Sequence, residues 1–518
     1  MELQFLFSLS FSVICLIFFF KLVFQSQNPN TKSLPGPLKL PLIGNLHNMI
    51  GSQPHHVLKE IARKHGPIIK LQLGEISMVV ISSAELAKEV MKTHDLAFAD
   101  RPEFLAFKVL YEKTGMPIVS APIGDYWRQM RKLCALELLS NKRVKSFAHI
   151  REDETLNLIE SIRSASATSN SQPINLSKMM VSFTSTVTFR AAFGSRFEQQ
   201  DEFVSLDKEI CKLAGGFSLV EVFPSLKFIH FFSGMEAKIL KLHGKADKIL
   251  DNLINQRRES MKLEKITATA SASGEENLVD VLLRLQETSS LGFPITTKNI
   301  KSIIWNIFSG GTESAATTTV WVMSELMRNP GVMKKAQAEV REALKGNKNI
   351  SEADIQELNY LKMIIKETLR LHPPNPLLVP RQTREACEIK GYEIPVKTRV
   401  VVNAWAIGRD FKYWNEAENF VPERFNGNGG NNSIDFKGND FEFIPFGAGR
   451  RMCPGIAFGL ANIELPLAQL LYNFEWELPG GIASQDLDMS EAFGAIVSRK
   501  NDLCLLATPV SPDNDHQL

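Results

Sequence analysis

The 518-residue chain carries 59 Lys and Arg against 57 Asp and Glu, and a net charge of +2 excludes a nucleic-acid partner held by bulk charge. At 44% hydrophobic and 22% charged residues it is globular and long enough to bury a large core. Six scattered cysteines (Cys15, Cys134, Cys211, Cys387, Cys453 and Cys504) form no Cys-x-x-Cys pair, which excludes zinc ribbons and thioredoxin motifs and reads as free thiols in a reducing compartment.

Leu3 to Phe20 is apolar and uncharged, and Leu22–Phe24 extend it past Lys21. That is long enough to begin crossing a bilayer. A cleaved signal peptide would need a basic start and a small-residue cleavage site, whereas this segment opens on Glu2 and its positive charges, Lys21 and Lys32, follow it. The expectation is an uncleaved transmembrane anchor over residues 1–24, with the body on the cytosolic side. Residues 25–45 form a linker whose Leu34-Pro35-Gly36-Pro37 and Pro41 hold the backbone extended, as a stiff hinge. The body spans 46–510, and the polar tail 511–518 is expected to be disordered.

Apolar residues recur at helical spacing in His55 to Lys64, Ala84 to Thr93, Asp125 to Leu139, Arg151 to Ser164 and Glu236 to Leu263. Strand-like runs lie at Ile68–Leu73 with Met78–Ile81, joined through Gly74-Glu75, and at Cys387–Ile389 with Arg399–Asn403. Without a βαβ series or an internal repeat, the fold class is mainly α with a small β region. Thr267–Gly274 and Asn426–Ser433 read as flexible loops. Ile300 to Met327 is apolar except at its centre, Gly310-Gly311-Thr312-Glu313-Ser314, so a helix through a soluble core fits better than a membrane span. A Glu in the middle of such a helix is costly unless it works.

The most specific string is Phe446-Gly447-Ala448-Gly449-Arg450-Arg451-Met452-Cys453-Pro454-Gly455, with a helix starting near Ile456. Cys453 thus sits just before a helix N-terminus, where backbone dipoles favour a thiolate. Gly449 and Gly455 allow tight turns beside a flat ligand, and Arg451 offers a fixed charge to a carboxylate. The string resembles the F-x-x-G-x-R-x-C-x-G signature of the cytochrome P-450 family at every defined position, Phe446 included. The resemblance implies the fold of that family, haem b (iron protoporphyrin IX) with Cys453 as axial ligand of its iron, O2 as co-substrate, and NADPH electrons arriving through NADPH–cytochrome P-450 reductase.

The other motifs follow in the family's order. Glu367-Thr368-Leu369-Arg370 alone reads as an i, i+3 surface pair, but with Pro422-Glu423-Arg424-Phe425 it resembles the E-x-x-R and P-E-R-F elements. The implied role is a buried structural triad of Glu367, Arg370 and Arg424. Trp127 and Arg131, four residues apart, fit an ordinary amphipathic helix, whereas the resemblance sends both to a haem propionate, with Arg381 as a further candidate. Gly310-Gly311-Thr312-Glu313-Ser314-Ala315 resembles A/G-G-x-D/E-T-T/S, in which the acid and hydroxyl, here Glu313 and Ser314, relay protons to the oxygen site. Ser314 replaces the usual threonine and Ala315 loses a hydroxyl; without the β-branch, χ1 is less restrained and coupling looser.

Gly124-Asp125-Tyr126-Trp127-Arg128, Thr93-His94-Asp95 and Lys334-Lys335-Ala336-Gln337-Ala338-Glu339-Val340 are similar to plant microsomal members, in particular to premnaspirodiene oxygenase-like sesquiterpene hydroxylases. This implies a single-pass protein of the endoplasmic reticulum membrane that hydroxylates a terpenoid. Lys132, Lys142, Arg143, Lys145 and Arg450 are candidates to meet an acidic reductase surface. By position relative to the motifs, the apolar substrate pocket takes Leu105, Val119, Ile307, Gly310, Leu377, Leu378, Ala495 and Ile496. The alternatives are the same chemistry on an alkaloid or phenylpropanoid, a desaturation, cyclisation or rearrangement, and a non-enzymatic haem sensor.

Overall fold

The computed structural model describes residues 33–104, 108, 115–167, 172–214, 219–226, 234–266, 276–288, 293–347, 350–427 and 434–510. The expected anchor 1–24, the tail 511–518, the loop 267–274 and Leu105 lie outside the described residues. Among the described residues no helix is long and apolar enough to cross a membrane.

Helices dominate. In chain order they are α1 (Pro54–His65), α2 (Ala84–Lys88, prolonged by a wide turn over Glu89–Thr93), α3 (Asp125–Leu133, prolonged likewise over Cys134–Leu138), α4 (Asn141–Ser146), α5 (Ala148–Ala167), α6 (Leu176–Phe193) and α7 (Gln200–Ala214). Then come α8 (Met235–Ile266), α9 (Leu278–Thr288), α10 (Thr297–Arg328), α11 (Pro330–Ala343), α12 (Asn359–Leu371) and α13 (Ile456–Asn473). The periodic stretches of the sequence sit within these helices.

The long helix α10 runs through the core, packed on α6, α12 and α13. Its start is fixed by a reciprocal cap: Thr296 Oγ1 accepts from the Asn299 N–H, and the Asn299 side chain accepts from the Thr296 N–H. It ends at Asn329, before Pro330, which cannot continue the helix. Its C-terminal half is sealed: Ala315 to Met327 are all buried. The apolar side chains of α5, α6, α9, α10, α12 and α13 merge into one core cluster.

The small β region is a four-stranded sheet with a few accessory pairs. Strands β1 (Ile68–Leu73) and β2 (Ile76–Ile81) form the expected hairpin, Leu73 opposite Ile76. Strands β3 (Ile174–Asn175), β4 (Arg381–Gln382), β5 (Cys387–Ile389), β6 (Tyr392–Ile394) and β7 (Arg399–Val402) follow. The runs Cys387–Ile389 and Arg399–Asn403 do not pair with each other. β5 instead folds onto β6, while β7 lies parallel to β2, Met78 opposite Arg399. A tight turn at Lys390 and Gly391, both at positive φ, makes the local hairpin possible. Asn403 leaves the strand to cap the next turn, its Oδ1 accepting from Ala406 N at 3.0 Å. Sheet order is β1-β2-β7-β4. Strands β8 (Phe474–Glu477) and β11 (Cys504–Pro509) extend β3, and β9 (Glu491–Ala492) pairs with β10 (Ser498–Arg499).

The proline segment packs along the sheet edge: Lys70 N donates to Pro35 O at 2.8 Å, and a Cβ on Gly36 would lie 2.3 Å from Lys70 O, so only glycine fits. Beyond it Leu38, Leu42 and Ile50 are 92%, 70% and 80% exposed, an apolar surface next to the start of the described chain.

Candidate active site

The Cys453 loop is built by its glycines. Gly447 and Gly449 both have φ +69°, and a Cβ on Gly449 would lie 2.1 Å from Met91 O. The loop therefore presses directly onto the turn after α2. Asp95, in that turn, holds it there: its Oδ2 accepts from Arg450 N at 2.8 Å and its Oδ1 from Arg381 Nη1 at 3.0 Å. Cys453 N donates to Phe446 O at 3.0 Å, and the Phe446 ring rests edge-on against Phe436. The chain then enters α13 at Ile456, and the Gly455 N–H points at Cys453 Sγ, 3.4 Å away.

Cys453 is a free thiol. Burial pushes its pKa up, against the Gly455 N–H and the charge of Arg131, which pull it down. Burial thus opposes the preference for a thiolate that the helix end supplies. Deprotonation calls for a stronger positive partner such as a bound metal ion.

Four arginines lie close enough to act on one another, and one of them, Arg131, acts on this thiol as well. Arg131, on α3 and depressed in pKa by burial, has a guanidinium with no hydrogen-bond partner among the described residues. Trp127, one turn earlier, is buried and carries the Arg451 guanidinium 4.6 Å from its ring centre. Arg451 itself donates to the carbonyls of Ala99 and Ala121, and burial beside Arg381 pushes it down to about 10. Arg381 donates to Asp95 and to Ala448 O at 2.9 Å. Arg101, which sequence reasoning missed, donates to the carbonyls of Val119, Val379 and Pro380 and is depressed by burial, then by Arg381 and Arg451. Of the expected anion-binding trio, Arg131 is the one whose guanidinium is uncommitted. Arg381 also bonds Asp95 and Ala448 O, and Arg451 bonds neighbouring carbonyls, through part of their five N–H donors.

In the middle of the buried helix α10, Gly310 is exposed, and a Cβ built there would meet nothing within 4 Å. Ser314 Oγ donates to Gly310 O at 2.6 Å, and burial pushes the Glu313 carboxyl above the usual carboxylate range. The half-buried run from Arg451 to Ala457 opens in the same way inside a tightly packed core. An unpaired thiol with an N–H directed at it, an exposed glycine turn on a buried helix and an arginine without a hydrogen-bonded anion among the described residues fit a flat dianionic macrocycle with a central metal. The residues present fit haem.

The triad is brought together. Arg370 Nε and Nη2 donate to Glu367 at 2.7 and 2.8 Å, Arg424 Nε at 3.0 Å, and the Glu367 and Arg370 side chains are 0% exposed. The nominated pocket residues that the structure describes differ in exposure. Ile307 and Leu378 are buried, Leu377 packs beside the sheet, Val119 is 38% exposed, and Ala495 and Ile496 sit in the turn between β9 and β10. A cavity of about 1060 Å³ lies elsewhere, lined by Met49, His56, Leu213, Met235, Trp405 and Phe493 among others, and by none of the nominated residues. Among the reductase candidates, Lys132, Lys142, Lys145 and Arg450 are exposed, whereas Arg143 is pinned to Glu276, donating to its carbonyl at 3.0 Å.

Fold and site thus define a helical haem-binding oxidoreductase. The Cytochrome P450 family pattern matches residues 34–505. The chain is 52% identical over 512 residues to premnaspirodiene oxygenase of Hyoscyamus muticus, spanning 98% of this chain and 99% of that one. It is 50% identical over 512 residues to 5-epiaristolochene 1,3-dihydroxylase of Nicotiana tabacum, with the same coverage. A zebra fish cytochrome P450 structure with progesterone superposes with a TM-score of 0.73 at 22% identity, over 89% of this chain and 100% of that one. The chain belongs to the cytochrome P450 family. It is a monooxygenase that carries haem, takes NADPH-derived electrons from a reductase and acts with O2 on a hydrophobic substrate.

Proposed function

We propose that this enzyme hydroxylates a hydrocarbon-like terpenoid at the endoplasmic reticulum membrane, with Cys453 as the residue that would hold the haem iron. The observation that carries the site is the Cys453 sulfur, in no disulfide, with the Gly455 N–H directed at it and nearby the Arg131 guanidinium, which has no hydrogen-bond partner among the described residues. The relatives named for oxygenating premnaspirodiene and dihydroxylating 5-epiaristolochene support the substrate class.

The chemistry supplied by haem when bound is activation of O2 with two reductase-delivered electrons, one oxygen atom entering a C–H bond and the other leaving as water. Cys453 donates its sulfur, and the Gly455 N–H and Arg131 moderate the charge it carries. Arg131, with Trp127 beside it, takes a propionate, while Arg381 and Arg451 supply positive field. Gly310 leaves the turn open for O2. Glu313, whose proton affinity burial raises, is the proton source, and Ser314 Oγ is the hydroxyl that passes protons onward.

The apolar anchor 1–24, the hinge within 25–45 and the exposed Leu38, Leu42 and Ile50 support a catalytic body, 46–510, that rests on the cytosolic face of the membrane. Exposed Lys132, Lys142, Lys145 and Arg450 support docking of an acidic reductase on the Cys453 side. The test is mass spectrometry of products after co-expression with a reductase, a panel of sesquiterpene hydrocarbons and 18O-labelled O2. A labelled alcohol is expected. An unlabelled, desaturated or cyclised product contradicts hydroxylation, and turnover only of alkaloids or phenylpropanoids contradicts the substrate class.

A further inference from the structure

Trp305, Ser309 and Glu313 stand one turn apart, at i, i+4 and i+8, on one face of α10. That face meets α7 through a single buried carboxyl. Asp207 is 8% exposed, and its Oδ1 accepts from Trp305 Nε1 at 2.6 Å and from Ser309 Oγ at 2.5 Å. The Cys211 thiol, one turn along α7, reaches the same oxygen at 3.9 Å. On the other side His243 of α8 stacks on the Trp305 ring, with centroids 5.4 Å apart and 12° between planes. A buried acid is costly unless hydrogen-bonded, and here both short bonds come from the turns that lead up to Glu313.

We infer that Asp207 is a positioning residue for Glu313: through Trp305 and Ser309 it fixes the acid-bearing face of α10 against α7. The inference rests on the reading of Glu313 as the proton source. The groups facing that carboxyl are Asp207, Lys208 and Cys211 from α7, with His243 of α8 behind Trp305. Burial raises the proton affinity of Glu313 most, Lys208 lowers it and Asp207 raises it again. Two successive residues of α7 therefore pull the same acid in opposite directions. A packing role for α7 would produce no such antisymmetry.

The test is an infrared difference titration of the full-length, haem-loaded enzyme, with the Glu313 band assigned by its loss in Glu313→Gln. Asp207→Asn keeps the shape but removes the negative charge, so the Glu313 midpoint is expected to fall by about one unit. Lys208→Gln, at an exposed position, is expected to raise it by about the same amount. The basic limb of the pH profile for product formed per NADPH moves the same two ways. Shifts in one common direction, or no shift in either variant, overturn the inference. If Asp207→Asn does not fold, Lys208→Gln decides alone, and an unmoved or lowered midpoint refutes it. Failure of the underlying reading is distinguishable, because Glu313→Gln would then leave product per NADPH unchanged whatever the midpoints do.

Discussion

Replacing Glu367 by Gln removes one charge from the most buried ion cluster among the described residues while preserving side-chain shape. The carboxylate accepts four hydrogen bonds: two from Arg370, one from Arg424 Nε, and one from Val421 N at 2.8 Å. Arg370 is fully enclosed, and its remaining donors reach the carbonyls of Gly408 and Ala417 at 2.6 Å and of Asn419 at 3.1 Å. None of these carries a compensating charge, so the variant leaves a guanidinium buried and unpaired. Such a loss costs about 3–5 kcal/mol. Against a typical total stability of about 5–15 kcal/mol, that is enough to reduce the folded yield sharply. The assay is the urea unfolding midpoint of the haem-loaded protein, measured beside Arg424→Ala, whose side chain is 12% exposed and whose removal is expected to cost less. Because the triad touches nothing in the reaction, the fraction of Glu367→Gln that folds should keep its product per NADPH. A loss below about 1 kcal/mol, or normal stability with collapsed coupling, would refute the reasoning.

Ser314→Thr restores the β-branch, restrains χ1 and is expected to raise product formed per NADPH, while Ser314→Ala is expected to lower it by about tenfold or more; parallel oxygen-electrode and product assays check both, and two unchanged values remove Ser314 from the proton path. Gly449→Ala forces a side chain into positive φ and onto Met91 O, so it is expected to cost at least about 2 kcal/mol and to reduce haem incorporation, read as pyridine haemochrome per mole of protein.

Most helices were legible because each carries a periodic apolar face and a recognisable stop, as in the long segment that ends before Pro330. The Cys453 loop was legible because glycines at positive φ and a cysteine before a helix are local requirements. The partners of the strands were not. Nothing in Arg399–Val402 says that it will lie parallel to Ile76–Ile81, some 320 residues earlier, because alternation fixes a strand's faces but not its neighbour. The pinning of Arg143 and the commitment of Arg381 and Arg451 to Asp95 and carbonyls escaped for the same reason, since a side chain's partner depends on segments far away in sequence. Asp95 stood in a noticed phrase, Thr93-His94-Asp95, without a role. Asp207 gave no local signal, as an acid in an amphipathic helix reads as solvated until its face is seen turned inward.

The account stands or falls on the bond between Cys453 and haem iron. The measurement is the absorption spectrum of the reduced, carbon-monoxide-treated protein, wild type beside Cys453→Ala. The red-shifted Soret band characteristic of thiolate ligation is expected in the wild type and absent from the variant. A wild type without that band, or a variant that retains it, contradicts the account.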